Sequence, residues 1–137
     1  MTTYQTNRVM IIDDNDIDNF ITQRVLNKAN FTTQVDICTS GSEALDYIKR
    51  NANNLERIPN VIFLDLNMPV VDGFVFLFEF EDFPQEVKNK CNIVVLSSLL
   101  DKMVIDKVLR NEYVSDFIPK PLTEAALQRL ILTKERV

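Results

Sequence analysis

Histidine is absent from the 137-residue chain, which removes Ser-His-Asp and Cys-His nucleophilic catalysis and every imidazole metal ligand. Glycine is nearly as scarce. With Gly41 and Gly73 alone, no glycine-rich loop can wrap a nucleotide phosphate. Cys38 and Cys91 lack a CxxC spacing and are too few for a disulfide framework, so they read as reduced packing residues. The net charge is −5 with no block of lysine and arginine, which argues against direct nucleic-acid binding. No apolar run approaches the length of a bilayer span, and the polar start at residues 1–6 carries no basic region followed by an apolar stretch. The expectation is a cytoplasmic protein that neither enters nor docks on a membrane.

What remains is a balanced globular composition, 46% hydrophobic and 26% charged. This length suits one domain over residues 1–137, preceded by a flexible lead at 1–6, with roughly two-thirds of the unfolded surface buried in one core. Strand-like runs at 8–13, 33–38, 60–65, 92–97 and 114–118 alternate with helix-like segments at 17–29, 41–51, 72–82, 101–111 and 122–134, giving five βα units. The runs ending at Asp13, Asp65 and Ser97 are continuously apolar, as strands covered on both faces are. The second run mixes polar with apolar residues, and Pro119 in the fifth cannot donate to a ladder, so both belong at the flanks.

Helix signals agree with this division. Ser40 followed by Glu43 forms a capping box, and Asp101 can cap the fourth helix. Val104, Ile105, Val108 and Leu109 in that helix, and Ala126, Leu127, Leu130 and Ile131 in the last, have core-facing spacing. The segment 74–78, rich in phenylalanine and valine, has strand propensity. It is expected to be helical because consecutive parallel strands need a crossover there.

Asp13 and Asp14 follow the first apolar run and Asp65 follows the third. In neighbouring parallel strands their ends share the edge where open α/β sheets bind ligands. Three carboxylates so crowded repel, at about 4 kcal/mol per pair at 4 Å and an effective dielectric near 20, and should recruit a divalent cation. Downstream lie Asp65-Leu66-Asn67-Met68-Pro69, Asp72-Gly73, the strand-end hydroxyl of Ser97, and Phe117 three residues before Lys120-Pro121. In this order and spacing the chain resembles the receiver domain of bacterial two-component response regulators, the stand-alone chemotaxis regulator being the nearest architectural analogue.

That resemblance implies a three-layer, doubly wound, flavodoxin-like α/β fold. Its five-stranded parallel sheet would run in the order 2-1-3-4-5 with five helices. It also implies that Asp65 accepts a phosphoryl group from a phosphohistidine on a sensor histidine kinase or a histidine phosphotransfer protein. Mg²⁺, with Mn²⁺ as a substitute, would be held by the side chains of Asp14 and Asp65 and the backbone carbonyl of Asn67, Asp13 assisting through water. Lys120 would meet the phosphoryl oxygens, fixed by a cis Lys120-Pro121 bond. Ser97 would sense the group, with adjacent Ser98 as a rival, and Phe117 would switch rotamer. Output would pass to a downstream protein or to a second copy through the fourth helix, fifth strand and fifth helix, using Leu99, Leu100, Met103 and Ile118.

Serine replaces the commoner threonine at position 97, Pro119 adds a second proline beside Lys120, and residues 110–115 are one residue longer than usual. Two other functions share the same residues. An unphosphorylated receiver-like scaffold needs only the fold. A magnesium aspartyl-phosphate phosphatase would want an acid two residues after Asp65, where Asn67 stands.

Overall fold

The three continuously apolar runs form the middle of the sheet. β1 (Val9–Ile12), β3 (Val61–Leu64) and β4 (Asn92–Ser97) lie between the flanking β2 (Val35–Cys38) and β5 (Val114–Pro119), all parallel, in the order β2-β1-β3-β4-β5. The structure, a computed structural model, describes residues 8–32, 34–66, 68, 72–98 and 100–135. The lead at 1–6, Asn67, Leu99 and the side chain of Ile131 lie outside the described residues.

Alternation along the strands splits the core into two layers. Met10, Ile12, Ile62, Leu64 and Val95 face α2 (Gly41–Arg50), α3 (Gly73–Phe80) and α5 (Lys102–Leu109). Val9, Ile11, Phe63, Val94 and Leu96 face α1 (Asp16–Lys28) and α6 (Glu124–Glu135). Burial of strand residues on both faces is what parallel sheets require. Cys38 and Cys91 are buried in the first layer, and desolvation pushes both thiols up to about 12, so neither ionises near neutral pH.

The helices start where their caps dictate. Asn15 Oδ1 accepts from the Asp18 N–H at 2.9 Å, Asp72 Oδ1 from Val75 at 2.9 Å, and Asp101 Oδ1 from Met103 at 2.8 Å. Ser40 Oγ accepts from the Glu43 N–H, but Glu43 reaches back to the N–H of Thr39 rather than of Ser40. α3 is helical despite its strand propensity, because Gly73, Phe76, Leu77 and Phe80 recur at helical spacing and are all buried.

Three expectations need correction. Among the described residues there are six α-helices, since α4 (Gln85–Lys90) follows α3 as a separate element. Its six residues bury only Val87, too little periodicity to read from sequence. Leu109 is 47% exposed. α5 covers the edge strand β5, so a single line of residues through Val104 and Val108 has sheet beneath it. Ile118, expected on the output surface, is 1% exposed and packs in the α1/α6 layer, whereas its neighbour Phe117 is half-buried against the opposite one. Gly73 has no positive φ and is the first residue of α3.

The pairing of β4 with β5 shifts register near the start of β5. Ile93 pairs with Val114 but Val94 pairs with Asp116, a one-residue bulge that leaves Ser115 unmatched. Beyond it Phe117, Ile118 and Pro119 pair in register with Val95, Leu96 and Ser97. Pro119 lacks an N–H, and the next bond comes from the Lys120 N–H to the Ser97 carbonyl at 3.0 Å.

Candidate functional site

Equal strand lengths bring distant residues to one edge. Ile12 pairs with Leu64, so Asp13 and Asp65 leave β1 and β3 at the same level, and the Asp65 N–H donates to the Ile12 carbonyl at 3.0 Å. One carboxylate oxygen from each of Asp13, Asp14 and Asp65 lies within 4.8 Å of the others. Asp13 and Asp65 are buried; Asp14 is exposed. Oxygen donors of this number and charge, open to solvent on one side, match a hard divalent cation that keeps part of its water shell.

Asp13 is held at both oxygens. Its Oδ1 accepts from the Asn15 N–H at 2.9 Å and its Oδ2 from Lys120 Nζ at 2.7 Å, while its carbonyl accepts from the Asn19 amide at 2.9 Å. Asn19 is buried beneath the pocket, and its Oδ1 has no hydrogen-bond partner. Lys120 emerges from the end of β5 across the sheet edge to the acids, and the Lys120-Pro121 bond is cis, as the resemblance implied. Its Nζ stands 2.7 Å from Asp18 Oδ2 and 3.6 Å from Asp65 Oδ2. Burial pulls the ammonium's pKa down, but hydrogen bonds to Asp13 and Asp18 and the charge of Asp65 together outweigh it, and the net shift is upward.

Ser97 is fully buried at the end of β4, and Ser98 is exposed. Phe117 lies on β5 two pairs before Ser97's partner Pro119. Asp13, Asp14, Asp65 and Lys120 thus meet as the sequence suggested, with Ser97 and Phe117 on adjoining strand ends, whereas Asn67 falls outside the described residues. Sequence reading missed Asp18 and Asn19. As a first-turn acid, Asp18 reads as a complement to the helix dipole, and nothing in the sequence ties it to Lys120.

Gly73 completes the site from below. A Cβ there would lie 2.6 Å from Leu66 Cδ2, 2.8 Å from Leu66 Cα and 3.0 Å from the Asp65 carbonyl. The glycine lets the start of α3 close directly onto the segment that carries Asp65.

Known proteins resemble this chain in sequence and in fold. A two-component response regulator from Cytophaga hutchinsonii superposes with a TM-score of 0.88 at 29% identity, covering 97% of this chain and 99% of that one. A probable methanogenesis regulatory protein from Methanothrix harundinacea is 24% identical over 90% of this chain and 77% of its own length. The osmosensing histidine protein kinase of Saccharomyces cerevisiae is 25% identical over 90% of this chain, which corresponds to only 10% of that larger protein. Residues 9–132 match the response regulator receiver domain. The match runs from the first residue of β1 well into α6, and by it the chain belongs to the response regulator receiver domain family.

Proposed function

We propose that the chain is a phosphoacceptor switch of two-component signalling whose nucleophile is Asp65. The observation that carries this reading is the convergence of Asp13, Asp14 and Asp65 with the Lys120 ammonium at one strand edge. An Asp65 oxygen attacks phosphorus, the bond from phosphorus to the donor's imidazole nitrogen breaks, and the donor histidine leaves. Mg²⁺ supplies the positive charge that offsets repulsion between carboxylate and phosphoryl oxygens. Asp14 and Asp65, with the Asn67 carbonyl, would hold it, and Asp13 would act through water, in keeping with both its oxygens being engaged by the protein.

Lys120 pairs with the phosphoryl oxygens and the Ser97 hydroxyl donates to one of them. Displacement of Ser97 makes room for Phe117 to turn inward. One bond cannot drive this. Moving an equilibrium from 1:99 to 99:1 takes about 5.5 kcal/mol, against roughly 1.5–3 for one charge-assisted hydrogen bond. Lys120 and Ser97 therefore act together, with the charge that a bound metal would supply. The modified state is read by protein contact at α5, β5 and α6, where Leu100 and the 81%-exposed Met103 offer apolar surface.

Intact-mass analysis after incubation with acetyl phosphate and Mg²⁺ tests the assignment. Wild type is expected to gain one phosphoryl group and Asp65→Asn none. Labelling of the variant would move the nucleophile elsewhere. No labelling of either would favour a scaffold, and steady turnover of a small phosphate ester would favour a phosphatase.

The same acids predict a metal effect on stability. With their oxygens within 4.8 Å and an effective dielectric near 20, the Asp13–Asp65 repulsion is at least about 3.5 kcal/mol, partly offset by Lys120. Mg²⁺ at tenfold over its dissociation constant should add about 1.4 kcal/mol, a rise of roughly 4–7 °C in melting temperature. Asp65→Asn should raise metal-free stability by about 1–2 kcal/mol by removing one repelling charge, and should shrink the Mg²⁺ shift. Equal shifts in both proteins, read by calorimetry, would show the metal binding somewhere else.

A further inference from the structure

Lys120 rests closer to Asp13 and Asp18 than to Asp65. Its Nζ makes two 2.7 Å contacts, to Asp13 Oδ2 and Asp18 Oδ2, and stands 3.6 Å from Asp65 Oδ2. The ammonium is thus drawn to the α1 side of the pocket. Asp18 lies outside the group of acids whose oxygens converge for a cation, which among the described residues comprises Asp13, Asp14 and Asp65. Its place is set by the helix, since its own N–H is bonded to the Asn15 cap.

We propose that Asp18 is a positioning residue that holds Lys120 in this rest position and competes with the incoming phosphoryl group for it. The inference rests on the reading of Asp65 as the phosphoacceptor. An ammonium has three donors, and Asp13 and Asp18 engage two of them at 2.7 Å, while Asp65 stands farther off at 3.6 Å. To bond oxygens added beyond Asp65, Nζ shifts toward them, and its 2.7 Å contact with Asp18 opposes that shift. The carboxylate left behind then faces additional negative charge. Loss of a bond and gain of repulsion have the same sign, so Asp18 disfavours the phosphorylated state. The Asp18 side chain is 35% exposed, and water can resolvate it after release. The competition is therefore tuned rather than prohibitive, as expected for a partly exposed pair.

Beryllofluoride with Mg²⁺, a phosphoryl mimic that needs no donor, provides the test on the full chain, its bound fraction read by fluorine NMR. Asp18→Asn keeps size and hydrogen-bonding capacity but removes the charge. It is expected to bind the mimic about two- to fivefold more tightly than wild type, while Asp18→Glu, which restores the charge, is expected to return toward the wild-type affinity. A damaged fold weakens binding, so a gain in affinity is a change that a purely structural role of Asp18 does not produce. Unchanged or weaker binding by Asp18→Asn, beside a wild type that binds, overturns the inference and leaves the phosphoacceptor reading standing. A wild type that binds no beryllofluoride, under conditions where Asp65→Asn also binds none, overturns the phosphoacceptor reading and the inference with it.

Discussion

Replacing Lys120 with methionine is expected to destabilise the metal-free protein by about 3–5 kcal/mol near neutral pH, the usual cost of stripping one partner from a buried ion pair. Lys120 is the cation that meets the two buried carboxylates, whose side chains are only 3% (Asp13) and 7% (Asp65) exposed. Methionine fills similar volume, so the loss reports charge rather than packing. The pH dependence identifies the cause. In wild type the Lys120 pKa is raised above its ordinary 10.5. Its contribution is therefore complete below that value and is lost as pH climbs through the higher folded one. The two curves, measured by urea denaturation, should stand apart near neutral pH and converge in strong alkali. A constant offset at all pH values would refute this electrostatic account.

Gly73→Ala carries the second large effect. A methyl group at 2.8 Å from Leu66 Cα meets backbone, which cannot rotate away as the Leu66 side chain can. Either α3 backs off or the Asp65–Leu66 segment moves. Overpacking of this kind costs about 1–3 kcal/mol, and the backbone gain from replacing a helical glycine, roughly 0.5–1 kcal/mol in a helix interior, is smaller at a first helical position. A displacement near 1 Å at the proposed nucleophile should slow phosphoryl uptake by up to about a hundredfold. Denaturation midpoints and the rate of mass gain with acetyl phosphate check the two halves separately. A variant as stable and as reactive as wild type would mean the contact is looser than its geometry indicates.

Both positions were within reach of sequence reading, though unequally. Continuous apolar runs ending in Asp13 and Asp65 place two central strands and their shared edge directly, because strands buried on both faces leave that pattern. Lys120 was implied by the resemblance that Phe117, Lys120 and Pro121 help to carry. Gly73 was visible only as a glycine; that it serves close approach rather than an unusual backbone angle depends on where α3 settles against Leu66. Asp18 was hidden by a competing explanation, since acids belong in a first helical turn whether or not a lysine arrives from the far end of the chain. Ile118 and Leu109 were misplaced for a related reason. Alternation along a strand and spacing along a helix establish which residues share a face, but only the neighbouring layers determine which face is covered.

The bulge at Ser115 separates two jobs of the outermost strand. Because the unmatched residue lies ahead of Phe117, a change in length between α5 and β5 can be taken up there without exchanging the faces of Phe117 and Ile118 or retracting Lys120 from the acids. The rim of the sheet works like a slack joint, leaving the outer contour free to diverge while the reactive end stays aligned.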